Sequence, residues 1–143
     1  MDYEILDNIT SADIAVSVKG DSLNEIFVKA GIALVSEMTD SPVKIRDMEL
    51  REDILTNPDL ELLLFNFLNE ILFYKDGDGL ILKPAAVEIE LQGSEYLCRY
   101  SLRGEKISKS RCGFRVDVKG ISLHALEIVS SGTSYSATVV FDV

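Results

Sequence analysis

Apolar and polar residues alternate over residues 12–19, with Ile14, Val16 and Val18 on one side and Asp13, Ala15 and Ser17 on the other. A period of two is that of a half-buried strand. Gly20-Asp21 breaks it, and the period changes. Leu23, Ile26, Phe27, Ala30, Leu34 and Met38 recur at the spacing of an amphipathic helix of about four turns. Ser22-Leu23-Asn24-Glu25 reads as a capping box, in which Ser22 accepts from the Glu25 N–H and the Glu25 carboxylate reaches back. Thr39-Asp40-Ser41-Pro42 ends this helix. Leu60, Leu63, Leu64, Phe67, Leu68 and Ile71 form a second, broader apolar face, with Asp59, Asn66 and Glu70 opposite. Asn57 is the expected cap of this second helix and Pro58 its first residue, where a missing N–H is harmless.

Strands are expected at residues 3–7 and 43–51, and the second half is β-rich, with candidates at 80–82, 87–91, 96–102, 114–118, 124–129 and 135–141. Asp76-Gly77-Asp78-Gly79, Gly93-Ser94, Gly104-Glu105, Cys112-Gly113 and Ser131-Gly132 are the expected separators. The pattern predicts one domain over residues 1–143. Its fold class is α+β, a two-layer α/β sandwich with two main helices packed on a mostly antiparallel or mixed β-sheet.

Composition narrows the function classes. The chain has 143 residues, 47% of them apolar, enough to bury a core without staples. Its net charge of −10, with no run of Lys and Arg, argues against strong direct nucleic-acid binding, which draws its affinity from neutralised phosphates. An acidic protein instead suits docking on a basic one. The acidic start Met1-Asp2-Tyr3-Glu4 is unlike a secretory signal, and polar residues interrupt the longest apolar run, so a cytoplasmic protein without a membrane span is expected. Cys98 and Cys112 match no zinc spacing and read as reduced core or strand positions.

Candidate chemistry is sparse. Asp76-Gly77-Asp78-Gly79 resembles the start of a calcium loop, but the sixth and twelfth positions hold Ile81 and Val87 where glycine and glutamate are needed, so a turn is the better reading. The single histidine, His124, leaves Ser11, Ser122 and the cysteines without the oriented base of a nucleophilic triad. The end Thr138-Val139-Val140-Phe141-Asp142-Val143 is an apolar strand in which the Asp142 carboxylate and the main-chain carboxylate of Val143 follow one another. Held together, such hard oxygens suit Ca²⁺ or Mg²⁺; the alternative is a solvated chain end.

Several motifs, in order, resemble the archease family of activators of RtcB-type RNA ligases. They are Tyr3-Glu4-Ile5-Leu6-Asp7, Ser11-Ala12-Asp13-Ile14, Gly20-Asp21-Ser22-Leu23-Asn24-Glu25-Ile26-Phe27, Met38-Thr39-Asp40, Leu62-Leu63-Leu64-Phe65-Asn66-Phe67-Leu68-Asn69-Glu70, Gly104-Glu105, Val118-Lys119-Gly120-Ile121-Ser122-Leu123-His124 and Val139-Val140-Phe141-Asp142-Val143. The likeness spans almost the whole chain and implies an α/β sandwich. It also implies a divalent cation, calcium first, held by Asp13, Asp142 and the carboxylate of Val143. Lys119 matches a family lysine implicated in ligase activation, and His124 is a further possible participant. The sequence departs from the family at Thr10 or Asn8, one of which stands where histidine is common, and at Gly120, Ser122 and Leu123. The function implied is a cofactor protein, not itself an enzyme, that promotes guanylylation and multiple turnover of a tRNA-splicing ligase. The runner-up is a chaperone or modulator of nucleic-acid-processing enzymes such as a tRNA methyltransferase. A stand-alone metal-dependent hydrolase is disfavoured by the sole histidine.

Overall fold

The computed structural model describes residues 3–6, 13–107 and 115–143. The expectations that rest on Asn8, Thr10, Ser11 and Cys112-Gly113 lie outside these residues. The chain order is β1 (Tyr3–Leu6), β2 (Asp13–Gly20), α1 (Leu23–Met38), a 3₁₀ turn (Pro42–Lys44), β3 (Glu49–Asn57), α2 (Leu60–Asp78), β4 (Leu80–Gln92), β5 (Glu95–Lys106), β6 (Gly120–Ile121), β7 (Glu127–Ser131) and β8 (Ser134–Asp142). The strands form two antiparallel sheets rather than one. The first has the order β1-β2-β8-β6, with β7 also on β8; the second is β3-β5-β4. The fold is α+β, as the periodicity predicts.

Both helices pack against strands of both sheets: α1 against β2, β8 and β4, and α2 against β3, β4, β5 and β6. The apolar face of α1 buries Ile26, Phe27, Ala30, Leu34 and Met38, and that of α2 buries Leu63, Leu64, Phe67, Leu68 and Ile71. Three rings join the layers. Phe27 lies 5.6 Å from Phe67, which in turn meets Tyr100 of β5 edge-on at 5.5 Å. Burying side chains of this size contributes about 1.5–3 kcal/mol each, which makes this stack a principal tie between helices and sheet.

The α1 cap forms largely as expected. Ser22 Oγ accepts from the Glu25 N–H at 3.1 Å, while the Glu25 carboxylate reaches one residue further back, to the Asp21 N–H at 3.0 Å.

Elsewhere the structure corrects the expected bounds. The strand placed at 43–51 begins only at Glu49 and runs to Asn57, because Pro42 opens a 3₁₀ turn first. Its charges, Glu49, Arg51, Glu52 and Asp53, hid it; they are what a sheet-edge strand tolerates. Asn57 and Pro58 do not start α2. The cap is Asp59, whose carboxylate accepts from the Glu61 and Leu62 N–H groups at 2.9 and 3.2 Å. Asn57 instead steadies Asp59 by accepting its N–H at 2.8 Å. Asp76-Gly77-Asp78-Gly79 is the last turn of α2, closed by Gly79 at φ 66° as its left-handed cap. The strands expected at 80–82 and 87–91 are one edge strand with a register shift between Pro84 and Ala86, where a proline can sit. Gly104-Glu105 does not separate strands but lies inside β5. Residues 115–119 form no strand, and the strand expected at 124–129 runs over Glu127–Ser131, after a turn at 123–125. Among the described residues no helix is long and apolar enough to cross a membrane.

Candidate functional site: paired carboxylates at a strand end

The antiparallel register of β2 and β8 sets Asp13 directly opposite Asp142. Directly opposed residues of an antiparallel pair point to the same face, with Cβ atoms about 4.5–5.5 Å apart. The apolar pairs behind them, Ala15 with Val140 and Val16 with Val139, are buried and hold this register. Both aspartates are half-buried. On the other side of β8, Gly120 of β6 is the Cα partner of Asp142, so β8 carries its aspartate between a carboxylate and a glycine. A Cβ added at Gly120 would stand 3.5 Å from Asp142 Oδ2, so the glycine leaves open the space a side chain would fill.

Lys119 reaches this site through its backbone. Its N–H donates to the Asp142 carbonyl at 2.8 Å, and its side chain is exposed. The segment leading to it is tied to α2. The buried Lys75 Nζ donates to Asp117 Oδ1 at 3.0 Å and to the Val118 carbonyl at 3.1 Å. It also pairs with Asp76 at 3.1 Å. Its hydrogen bond, together with its positive charge, holds the Asp117 carboxyl below the usual carboxylate range. Val143 follows Asp142 and packs against the core.

The structure therefore brings together Asp13, Asp142 and the backbone of Lys119, with Val143 adjacent. His124 does not join them through any bond. It is exposed in the turn at 123–125 and makes no hydrogen bond or ion pair among the described residues. Sequence reasoning missed Lys75, Asp117 and the role of Gly120. A lysine on the apolar side of α2 was the signal available for the first, since a buried ammonium requires partners.

Two carboxylates side by side repel each other and stabilise the site only when a cation joins them. The donors are hard oxygens, and among the described residues no third His, Cys, Asp or Glu completes a metal cluster around any pair. The set fits Ca²⁺ or Mg²⁺, which accept main-chain oxygens and water alongside carboxylates, better than Zn²⁺, which prefers N and S ligands.

The sequence profile of the archease protein family matches residues 3–143. Protein archease of Methanosarcina barkeri is 31% identical over 99% of this chain and 95% of its own length. The Pyrococcus abyssi protein is 35% identical over 82% of both chains. Among solved structures, a Methanobacterium thermoautotrophicum protein superposes with a TM-score of 0.84 at 27% identity, covering 99% of this chain and 98% of that one. A Thermotoga maritima protein, described as an archease and possible chaperone, gives a TM-score of 0.65 at 22% identity over 94% and 93% of the two chains, a likeness of fold. By sequence and by architecture, this chain belongs to the archease family.

Proposed function

We propose that this protein activates an RtcB-type RNA ligase, promoting the ligase's guanylylation and its multiple turnover in tRNA splicing. The observation that carries this reading is the register of Asp13 against Asp142, with the Lys119 backbone bonded to the latter. Asp13 and Asp142 would hold a divalent cation, calcium first, with the carboxylate of Val143 next in the chain as the third donor. The bound cation would supply a fixed positive charge for phosphate oxygens of the partner's nucleotide. The chain's own part is positional. The β2–β8 ladder presents both carboxylates at one strand end, Gly120 leaves the approach open, and Lys75 anchors the segment that carries Lys119. The Lys119 side chain is exposed on the segment bonded to Asp142 and would pair with a phosphate as a point charge. The partner performs the bond chemistry.

The test is guanylylation and multiple-turnover RNA joining by the RtcB-type ligase of the same cell. Substoichiometric protein should accelerate both. Asp13→Ala, Asp142→Ala and Lys119→Ala should each lower the stimulation by about tenfold or more, the loss expected when a charge-assisted contact is removed. Stimulation that survives both aspartate substitutions overturns the mechanism.

A second reading, a chaperone or modulator of an enzyme such as a tRNA methyltransferase, draws support from exposed apolar side chains. Val43 is 89% exposed and Met48 69%. Client protection that persists after chelation favours this reading over the first.

A further inference from the structure

A second polar site lies away from the strand-end aspartates, in the groove between α2 and β3. Asp53, Leu55 and Thr56 of β3 form one wall, and Asn66, Asn69, Glu70, Phe73 and Tyr74 of α2 the other, around a volume of about 560 Å³. The Asp53 and Glu70 carboxylates face the same space, yet among the described residues neither has a cationic partner. Burial, and then the charge of Asp53, hold the Glu70 carboxyl above the usual range.

The layer beneath the groove supplies a second observation. Tyr100 is the Cα partner of Asp53 across the β3–β5 ladder, so the two lie on one face of the sheet. It is 2% exposed, and its buried hydroxyl makes no hydrogen bond of ordinary geometry. Glu70, Tyr74 and Asp53 are the groups that act on this hydroxyl, which places it toward the groove; burial and their presence push its pKa well up. A buried hydroxyl without a well-placed partner is a costly arrangement in a protein at rest. A bound donor relieves that cost.

We propose that this groove is a binding site for an arginine side chain of a partner protein. The surroundings are mainly acceptors: two carboxylates and the amide oxygens of Asn66 and Asn69. The Asn69 amide nitrogen is already committed to the Phe65 carbonyl at 2.9 Å, which leaves its oxygen to accept. Acceptors spread over two walls suit a planar guanidinium with five donors better than a compact ammonium. Tyr74 and Phe73, packed edge to face at 5.6 Å, add an aromatic wall on which a guanidinium stacks. Phe73 is 64% exposed, so an incoming side chain gains apolar contact at the rim.

The protein's own Arg51 does not fill the site. Its guanidinium lies over the Tyr74 ring, 5.9 Å from the centre, while its Nη1 donates to the Leu50 carbonyl and to Glu49, and it pairs with neither Asp53 nor Glu70 among the described residues. The net charge of −10 favours a basic partner. This proposal does not rest on ligase activation, and the strand-end aspartates play no part in it.

The probe is the peptide acetyl-Gly-Arg-Gly-amide, titrated into the isotope-labelled full chain and followed by NMR. Saturable shifts confined to Asn66, Asn69, Glu70, Tyr74 and Asp53 are expected. Affinity should fall about tenfold in Glu70→Gln and in Asp53→Asn, the loss of one charged acceptor, and be unchanged in Asp142→Ala. Tyr100→Phe should weaken binding. Four results overturn the proposal: no saturable shift, shifts that ignore the groove substitutions, equal binding of the lysine peptide, and tighter binding of free arginine than of the peptide. The last would identify a small-molecule pocket instead of a docking site.

Discussion

Asp13 and Asp142 stand directly opposite each other across the β2–β8 ladder, two like charges in a cross-strand pair that ordinarily favours opposite ones. Like charges so placed destabilise a sheet by a few tenths to about 1 kcal/mol. The cation proposed above would make stability depend on the ion. In a chelator, Asp142→Asn should unfold at the same temperature as the parent chain or a higher one. With excess Ca²⁺ the order should reverse, because a ligand that binds only the folded state adds about 2.7 kcal/mol at roughly a hundred times its dissociation constant. Thermal unfolding of both proteins, with and without calcium, checks this. A calcium response retained in the variant would remove Asp142 from the ligand set.

Lys75 should affect the strand-end site without touching it. Its ammonium is buried, and its bond to the Val118 carbonyl fixes the chain one residue before Lys119. Lys75→Met keeps the length and the apolar stem but orphans that carbonyl, at a loss of about 1–3 kcal/mol. The expected functional signature is a fall in ligase stimulation at temperatures where the variant is still fully folded. There is a pH signature as well. The Asp117 carboxyl is held below its ordinary range by Lys75, so its stabilisation is present at neutral pH and fades as pH falls through the folded-state value. Asp117 is largely exposed, so this contribution is small. The difference in stability between the parent and Lys75→Met should nevertheless narrow in acid. Urea titrations across the acid range measure it.

The parts of this fold that were legible in the sequence are those with strong periodicity. Strand β2 and helix α1 follow from alternation and then a capped helical period, because one buried face dictates both. Strand β3 was misplaced because an edge strand carries charges and loses the alternating signature. The division into two sheets was not legible, since pairing partners are chosen by tertiary packing. Asp142 was a candidate from the apolar end of the chain and Asp13 became one through family likeness, and only the register explains why residues so far apart in the chain lie together. The α2–β3 groove escaped notice because Glu70 reads as the polar side of a helix and Tyr100 as an ordinary strand residue. Its hint was a tyrosine in an apolar strand, whose hydroxyl needs a partner once buried.

Gly104 is a position of close approach. It pairs with Leu82 on β4 and Glu49 on β3, and an added Cβ would fall 1.8 Å from the Ile81 carbonyl oxygen. That atom belongs to the backbone, so relief requires β4 and β5 to separate. Gly104→Ala should lose about 3 kcal/mol or more, at the upper end of single-substitution effects. Gly77→Ala is the control, since nothing lies within 4 Å of its added Cβ. Glycine inside a helix is less favourable than alanine by about 1 kcal/mol, so the control should gain stability. Denaturant midpoints for the two variants should move in opposite directions.

Tyr3 ties the edge strand β1 to helix α1. Its hydroxyl donates to Glu37 Oε2 at 2.5 Å, and Glu37 is 2% exposed. Among the described residues, the cation near that carboxylate is the Arg115 guanidinium, at 3.9 Å. Tyr3→Phe removes the donor and leaves a buried carboxylate under-satisfied, so a loss of about 1–3 kcal/mol is expected at neutral pH. The pH dependence identifies the bond. Burial and the hydrogen bond to Glu37 raise the Tyr3 pKa from 10.0 to about 12. A folded-state value above the unfolded one means that the proton stabilises the native state. That contribution is complete below pH 10 and is lost as pH rises toward 12. The stability gap between the parent and Tyr3→Phe should therefore stay constant through neutral pH and narrow over this alkaline window. A gap that persists undiminished at its upper end would assign the effect of Tyr3 to ring packing rather than to its bond with Glu37.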